Sequence, residues 1–319
     1  MVEIRSAVRS ELAKLSAGDA VIAACSGGAD SLALAYAISK EAENLAIQFV
    51  GITIDHQIQE GSRGQAEKVI SQLQGMGYLR TEIFTVTVDL VDGMEASARR
   101  ARYGALDAAS QKYGALKVFL GHTLDDQAET VLLGLARGSG TRSLSGMATD
   151  SGHYVRPLLK ITRRQTQSAC AEVNVEPWQD PHNQDRKYTR VRLRLDALPV
   201  LEETIGPGVS AALARSAGIL RDDADALDEW AKREFDQINP TSMDLSSLAS
   251  LPRAVRSRVI RAGIYASGAP QGSVTADHLG AVEALVTFWH GQGEVSLPGG
   301  VKARRISGRL SLLPPTNEK

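Results

Sequence analysis

The sequence predicts a doubly wound, Rossmann-like α/β fold with a parallel sheet, followed by a mostly helical second domain. Three observations carry this expectation. Short β-branched runs alternate with helical stretches through the first half, a glycine-rich hexapeptide sits at the first strand-to-helix junction, and the pattern changes at Gly206-Pro207-Gly208. Length agrees, because 319 residues are enough for two domains, read here as 1–206 and 207–319.

The strand candidates are Ala20 to Cys25, Phe49 to Ile54, Ile83 to Val88 and Val118 to Gly121, continuous apolar runs of the kind buried on both faces of a parallel sheet. Between them, Asp30 to Glu43, Arg63 to Met76, Glu95 to Lys112 and Leu124 to Ala136 carry helical patterns. Ligands of such sheets sit beyond the carboxyl ends of the strands, so the residues following each strand, Ser26, Asp55-His56, Asp89 and His122, should share one rim. After Pro207 a long helix carries Leu213, Leu220 and Leu227 on one side and a run of aspartates on the other. Leu251 to Ala266 and Thr275 to Trp289 read as further helices, and Gly293 to Leu313 alternates like a hairpin.

The first junction reads Ser26-Gly27-Gly28-Ala29-Asp30-Ser31. Adjacent glycines permit a sharp turn and a close approach of backbone N–H groups to an anion. The helix that follows adds unpaired N–H groups and the positive end of its dipole, so phosphate is the natural guest. Ser26 and Ser31 supply hydroxyl donors. Asp30 is out of place beside phosphate unless Mg²⁺ bridges the two, which makes it the metal-ligand candidate. No Gly-Lys-Ser/Thr follows, so this is not a Walker loop, nor is it the spaced dinucleotide fingerprint.

The second informative segment is Gly121-His122-Thr123-Leu124-Asp125-Asp126-Gln127-Ala128-Glu129-Thr130, which closes one strand and opens a helix. Thr123 reads as an N-cap with Asp126 three residues on. Capping and dipole effects account for some acid here, but not for His122 or for three carboxylates within five positions. Asp125 and Glu129 are four apart and share a face, with Asp126 beside them, a group suited to an amine cation or a metal. Next, Arg137 and Arg142 bracket the flexible-looking loop Gly138-Ser139-Gly140-Thr141.

Composition bounds the rest. The net charge is −1, and the only cysteines, Cys25 and Cys170, form no CxxC pair, so neither a disulfide framework nor a zinc site is suggested. Charges at Glu3, Arg5, Arg9, Glu11 and Lys14 break any signal-peptide core, and no apolar run reaches membrane-spanning length. The expectation is a cytoplasmic protein without membrane attachment.

The hexapeptide resembles the SGGxDS loop of the ATP pyrophosphatases, which cleave ATP between the α and β phosphates to adenylate a substrate. The run from His122 to Met147 is similar to the HxxDDQxET…RGSG…L.GM pattern of tRNA(Ile)-lysidine synthetases. Glu95 to Tyr103 resembles the AR..RY helix of that family, Arg156-Pro157-Leu158-Leu159 its RPLL turn, and Asp180 to Arg194 its D.SN…R.R.R segment. Departures stand at His182, where serine is usual, at Val191, where asparagine is common, and at Gly121, where a second histidine often accompanies His122.

The resemblance implies an enzyme that uses ATP and Mg²⁺ to join free L-lysine to the wobble cytidine of the CAU anticodon of tRNA(Ile). The cytosine oxygen attacks the α-phosphate, pyrophosphate leaves, and the lysine amine then displaces AMP. It implies that Ser26, Gly27, Gly28, Ala29, Asp30 and Ser31 bind ATP. Arg99 would steady the adenylated state and Asp126 would hold the lysine ammonium, with His122, Asp125 and Glu129 around it. Either an acid of this group or His122 would take the amine proton. For tRNA the candidates are Arg137, Arg142, Arg190, Arg192 and Arg194, the last three within a stretch of nine bases against four acids from Arg156 to Arg194. The alternative is an RNA thiolase built on the same loop, for which the two cysteines offer no suitable spacing. The sequence carries no signature of oligomeric state, so a homodimer stays open.

Overall fold

The computed structural model describes residues 1–57, 61–87, 94–138 and 140–315; Val88, Asp89 and Ser139 lie outside these. The chain divides into two compact units, Met1–Leu220 and Arg221–Lys319.

The first unit opens on a helix the sequence reading passed over, α1 (Val2–Leu12), whose Ile4, Val8 and Leu12 are buried at i, i+4 spacing. There follow β1 (Ala20–Ala24), α2 (Ala29–Asn44), β2 (Gln48–Asp55), α3 (Ser62–Gly75), β3 (Arg80–Thr85), α4 (Met94–Tyr113), β4 (Ala115–Leu120) and α5 (Leu124–Ala136). A short α6 (Thr141–Leu144), the two-residue strands β5 (Asp150–Ser151) and β6 (Tyr154–Val155), and α7 (Arg163–Glu172) come next. Small helices α8 (Thr189–Arg192) and α9 (Leu198–Ile205) lead into α10 (Val209–Phe235), which runs from this unit into the next.

The sheet order is β3-β2-β1-β4-β6-β5, with every pairing parallel except that of the edge strand β5. Adjacent residues of β1 feed opposite cores: Val21 and Ala23 pack with Leu34, Ile38 and Phe119, while Ile22 packs with Val50, Ile52, Leu106 and Val118. Burial on both faces is why these strands read as unbroken apolar runs. Because the chain winds outward from β1 to β3 and then returns to β4 on the other side of β1, the crevice between the ends of β1 and β4 is a topological switch point.

Helix α1 is tied down by charge as well as packing. Glu41 of α2, almost wholly buried, accepts from Arg5 Nε at 2.5 Å and Arg9 Nε at 2.6 Å. Two of the charged positions near the start of the chain, Arg5 and Arg9, therefore serve a structural purpose.

The second unit combines α11 (Leu245–Ser250), α12 (Arg253–Ala266) and α13 (Ala276–Thr287) with four short strands, β7 (Ser242–Asp244), β8 (Val295–Ser296), β9 (Lys302–Ile306) and β10 (Arg309–Leu313). The strands form an antiparallel sheet in the order β7-β10-β9-β8, built around the β9–β10 hairpin. Met243, Val259, Ile260, Ile264, Val282, Leu310 and Leu312 form its core. Among the described residues, no helix is long and apolar enough to cross a membrane.

Candidate active site

A cavity of about 1440 Å³ opens at the switch point, lined by the Ser26–Ser31 loop, the ends of β2 and β4, and the 175–184 loop. The loop is held by hydrogen bonds of its own. Ser31 Oγ accepts from Ser26 N at 3.1 Å, lies 3.2 Å from Ser26 Oγ and donates to Gly28 O at 3.0 Å. Only the first glycine takes a left-handed conformation, at φ +86°, and a Cβ there would meet Val69 Cγ2 at 2.7 Å. Gly28 is extended and has room, so its lack of a side chain serves approach to a ligand and not the turn. Trp178 N donates to Gly27 O at 2.8 Å, pinning the far wall of the cavity to the loop.

The end of β4 is pressed against this loop: a Cβ on Gly121 would sit 3.0 Å from the backbone of Asp30 and Ser31. That contact brings the acidic helix to the glycine loop. Thr123 and Asp126 form the capping box on α5, with Asp126 Oδ2 accepting from Thr123 N at 2.8 Å. The other oxygen, Oδ1, accepts from Arg163 Nη2 at 2.8 Å.

Arg163 is the hub. Its Nε lies 3.4 Å from Asp30 Oδ2, its Nη1 3.7 Å from Glu129 Oε1, and its backbone N donates to Asp125 Oδ2 at 2.8 Å. Arg194 adds a second cation, donating from Nε to the fully buried Glu129 at 2.8 Å and lying 3.9 Å from Asp126. Thr166 of α7 donates its hydroxyl to Asp30 Oδ1. Asp30, Asp126, Arg163, Arg194 and His122 line the cavity, whereas Asp125 and Glu129 stand behind it.

The arginines rearrange the acidities. Crowding among carboxylates is expected to make Asp126 titrate high, but it is Asp30 that is raised, because burial outweighs Thr166 and Arg163. Burial also works on Asp126, but Arg163, the Thr123 N–H, His122 and Arg194 together hold it below its ordinary value. His122 is pushed down to about 3, chiefly by burial and further by Arg102, Arg156 and Arg99, with Asp126 opposing. It is a neutral imidazole at physiological pH.

That depression has a measurable consequence for stability. Between about pH 3 and 6.5 the unfolded chain binds a proton at His122 that the folded chain does not, so this residue makes stability fall as pH falls below 6.5. His122→Asn removes that slope. In urea denaturation, the stability difference between wild type and variant should shift by about 2 kcal/mol in the variant's favour from pH 7 to pH 5.

Opposite the acids lies a basic wall. Tyr103 of α4 has Arg99 Nη2 at 3.3 Å and Arg156 Nη2 at 3.4 Å from its hydroxyl, with the Arg99 and Arg102 guanidinium carbons 4.8 and 5.5 Å from its ring centre. Burial raises the phenol, but the hydrogen bond from Arg156 and the charges of Arg99, Arg156 and Arg102 bring it below its usual value. Buried nitrogens without a hydrogen-bond partner among the described residues concentrate here: Nε of Arg102 and Arg156, and Nδ1 of His56 and His122. Such groups are costly unless a ligand satisfies them.

Arg99 itself is exposed on Tyr103, and Arg102, three residues on, is the arginine of this helix that lines the cavity. Arg190, Arg192 and Arg194 fan around α8 and the wide helical turn 193–197. Arg192 caps the carbonyls of Arg186 and Lys187 at 2.7 and 3.0 Å, and the charge of Arg190 is felt at Arg102. Arg137 and Arg142 are exposed on the loop leaving α5, whose far end is held by Gln127 through paired hydrogen bonds to Met147 at 2.9 and 2.7 Å. His182 and Asn183 line the cavity beside Trp178. Sequence reasoning placed His56 on the rim with the glycine loop and His122, but missed Arg163, Arg102 and Arg156 as parts of the site. The signal for Arg163 was the capping box of Thr162 and Gln165, which announces α7.

A glycine loop at a switch point, faced by acids and arginines, defines a nucleotide-binding α/β enzyme, and residues 3–201 match the family model described as a PP-loop domain. Residues 243–311 match the TilS substrate binding domain. Relatives named tRNA(Ile)-lysidine synthase are 50% identical over 309 residues in Thermobifida fusca, covering 96% of this chain and 95% of the relative. In Streptomyces coelicolor the identity is 50% over 295 residues, covering 91% and 84%. The chain belongs to the tRNA(Ile)-lysidine synthase family. Among solved structures, the U34-tRNA thiolase NcsA from Methanococcus maripaludis has a TM-score of 0.58 at 19% identity, covering 69% of this chain and 79% of that one, a likeness of fold alone.

Proposed function

We propose that this chain uses ATP to adenylate the wobble cytidine of tRNA(Ile) bearing a CAU anticodon, and then transfers free L-lysine to the activated carbon, forming lysidine. One observation carries the proposal: Asp30 from the glycine loop and Asp126 from the acidic helix converge on the same guanidinium, inside one cavity. Adenylation at the cytosine oxygen and amine attack on the carbon bearing that oxygen need their two reagents held that close.

The N–H groups opening α2, with Ser26 and Ser31, take the ATP phosphates. Asp30 fits Mg²⁺ in the way that ion is usually held, by one or two carboxylates together with phosphate oxygens, and the ion supplies charge neutralisation on the departing pyrophosphate. Arg99, with Arg102 and Arg156 beside it, steadies the adenylated base, and the unsatisfied nitrogens of the basic wall support an anionic guest there. Asp126 receives the lysine ammonium, with Asp125 and Glu129 orienting the arginines behind it. Arg163 supports this assignment, since a side-chain cation already sits among the carboxylates. An imidazole pushed as low as His122 is a poor base at neutral pH, and Asp126 is held below its ordinary value as well, whereas burial raises Asp30.

Arg137, Arg142, Arg190 and Arg192 contact the anticodon arm in this reading, whereas Arg194, expected to join them, is turned inward to Glu129 and Asp126. We assign catalysis to 1–206 and binding of the tRNA body to 207–319, in the cytoplasm. A thiolase activity is disfavoured by the thiols themselves: Cys25 and Cys170 are both buried, and burial raises both, Cys170 to about 11, far from thiolate character.

The test is incorporation of labelled lysine into a tRNA(Ile) transcript with ATP and Mg²⁺, beside a transcript whose wobble cytidine is uridine. Transfer to the first alone is expected. Pyrophosphate release without lysine transfer would redirect the second step to another nucleophile.

A further inference from the structure

We infer that Phe288 and Trp289, at the end of α13, form a stacking platform for an unpaired base of the tRNA body. The inference rests on the reading above, in which the first unit's cavity takes the anticodon.

Large aromatic side chains are scarce in this chain, which has five phenylalanines and three tryptophans, and two of these eight stand adjacent and uncovered here. Phe288 is 79% exposed and Trp289 41%. Neither contributes to the core of the second unit, so folding does not explain them.

The turn that presents them is fixed by its own side chains. Phe288 O accepts from Gln292 Nε2 at 2.8 Å and lies 3.2 Å from His290 Nδ1, and His290 N donates to Gln292 Oε1 at 2.8 Å. Arg305 completes the arrangement. Its Nη1 donates to Leu285 O at 3.0 Å, closing the end of α13, and its guanidinium carbon stands 5.3 Å from the Trp289 ring centre. A preorganised aromatic backed by a guanidinium is the surface on which unpaired bases stack, because every base offers a π face and Arg adds charge attraction.

Charge selects nucleic acid as the occupant. The unit 221–319 as a whole balances twelve arginines and lysines against twelve carboxylates, but the segment from Phe288 to Ser311 carries four, Lys302, Arg304, Arg305 and Arg309, against Glu294 alone. Long-range attraction of phosphate to this segment and short-range stacking on its aromatics reinforce each other.

The experiment compares binding of full-length tRNA(Ile) transcript and of its isolated anticodon stem-loop to the intact protein, by filter binding at fixed salt. Phe288→Ala, a change at a largely exposed position, should weaken full-length tRNA about tenfold and leave the stem-loop unaltered. Phe288→Trp should restore affinity, since it restores the π face. Equal affinity of the alanine variant and wild type for full-length tRNA overturns the inference. So does equal loss for the stem-loop, which would place the platform at the anticodon. Sedimentation distinguishes the remaining occupant: a wild-type dimer that Phe288→Ala converts to monomer with tRNA affinity intact would make the patch a self-association face. Failure of wild type to form lysidine would refute the functional reading, whereas an unaltered Kd in an active protein refutes only the platform.

Discussion

Asp30→Ala is expected to lower tRNA-dependent pyrophosphate release by at least about a hundredfold, the scale at which a group stabilising transition-state charge acts. The carboxylate stands in the first turn of α2, beside the N–H groups proposed to hold phosphate, and Arg163 lies 3.4 Å away. Burial raises its pKa in spite of Thr166 and Arg163, so its charge is not fully compensated and the site favours a further cation. Asp30→Asn separates charge from shape, because the amide oxygen can still accept from Thr166. Equal loss in both variants at saturating Mg²⁺ assigns the effect to charge. Full activity in Asp30→Asn would reduce the residue to a structural tie between α2 and α7.

The second large effect concerns lysine. Asp126→Asn should raise the lysine concentration needed for half-maximal lysidine formation by on the order of thirtyfold or more, the consequence of removing one partner from a desolvated charge pair. Pyrophosphate release should stay within a few-fold of wild type, since Asp126 does not touch the glycine loop. Asparagine is the informative replacement. Its side-chain oxygen still accepts from Thr123 N, preserving the cap that alanine would destroy at a cost of about 1 kcal/mol. Measuring pyrophosphate release and lysidine formation across a lysine titration gives both quantities from one preparation. An unchanged lysine dependence would remove Asp126 from the ammonium site.

The glycine loop and the acidic helix were legible because each is local. The residues that make them work lie within ten positions of one another, and strand-to-helix junctions of a parallel sheet share a rim by topology. Arg163 was not legible as the partner of those acids. It lies 37 residues beyond Asp126 and 133 beyond Asp30, on a helix of polar residues whose burial is confined to Thr166, Ala169 and Cys170. Counting bases between Arg156 and Arg194 grouped Arg163 and Arg194 with RNA-facing charge, whereas both guanidinium groups turn inward to carboxylates. The expected acidities changed with them. Similarly, β6 is two residues long, too short to register as a pattern, yet it leads directly into the buried Arg156. Helix α1 was hidden by the opposite effect: attention to its charges obscured the regular spacing of Ile4, Val8 and Leu12.

The contact of Gly121 with the start of α2 bears on timing. Two half-reactions in succession ordinarily raise the question of how a labile adenylate travels from where it is made to where it is consumed. Here β4 abuts the α2 backbone, and one guanidinium spans an acid from each motif, so both reagents are referred to a single rigid origin. The activated base has no journey to make. Under the proposed function, protection from stray hydrolysis then depends on how promptly the amine arrives, and the lysine concentration becomes the clock of the second step.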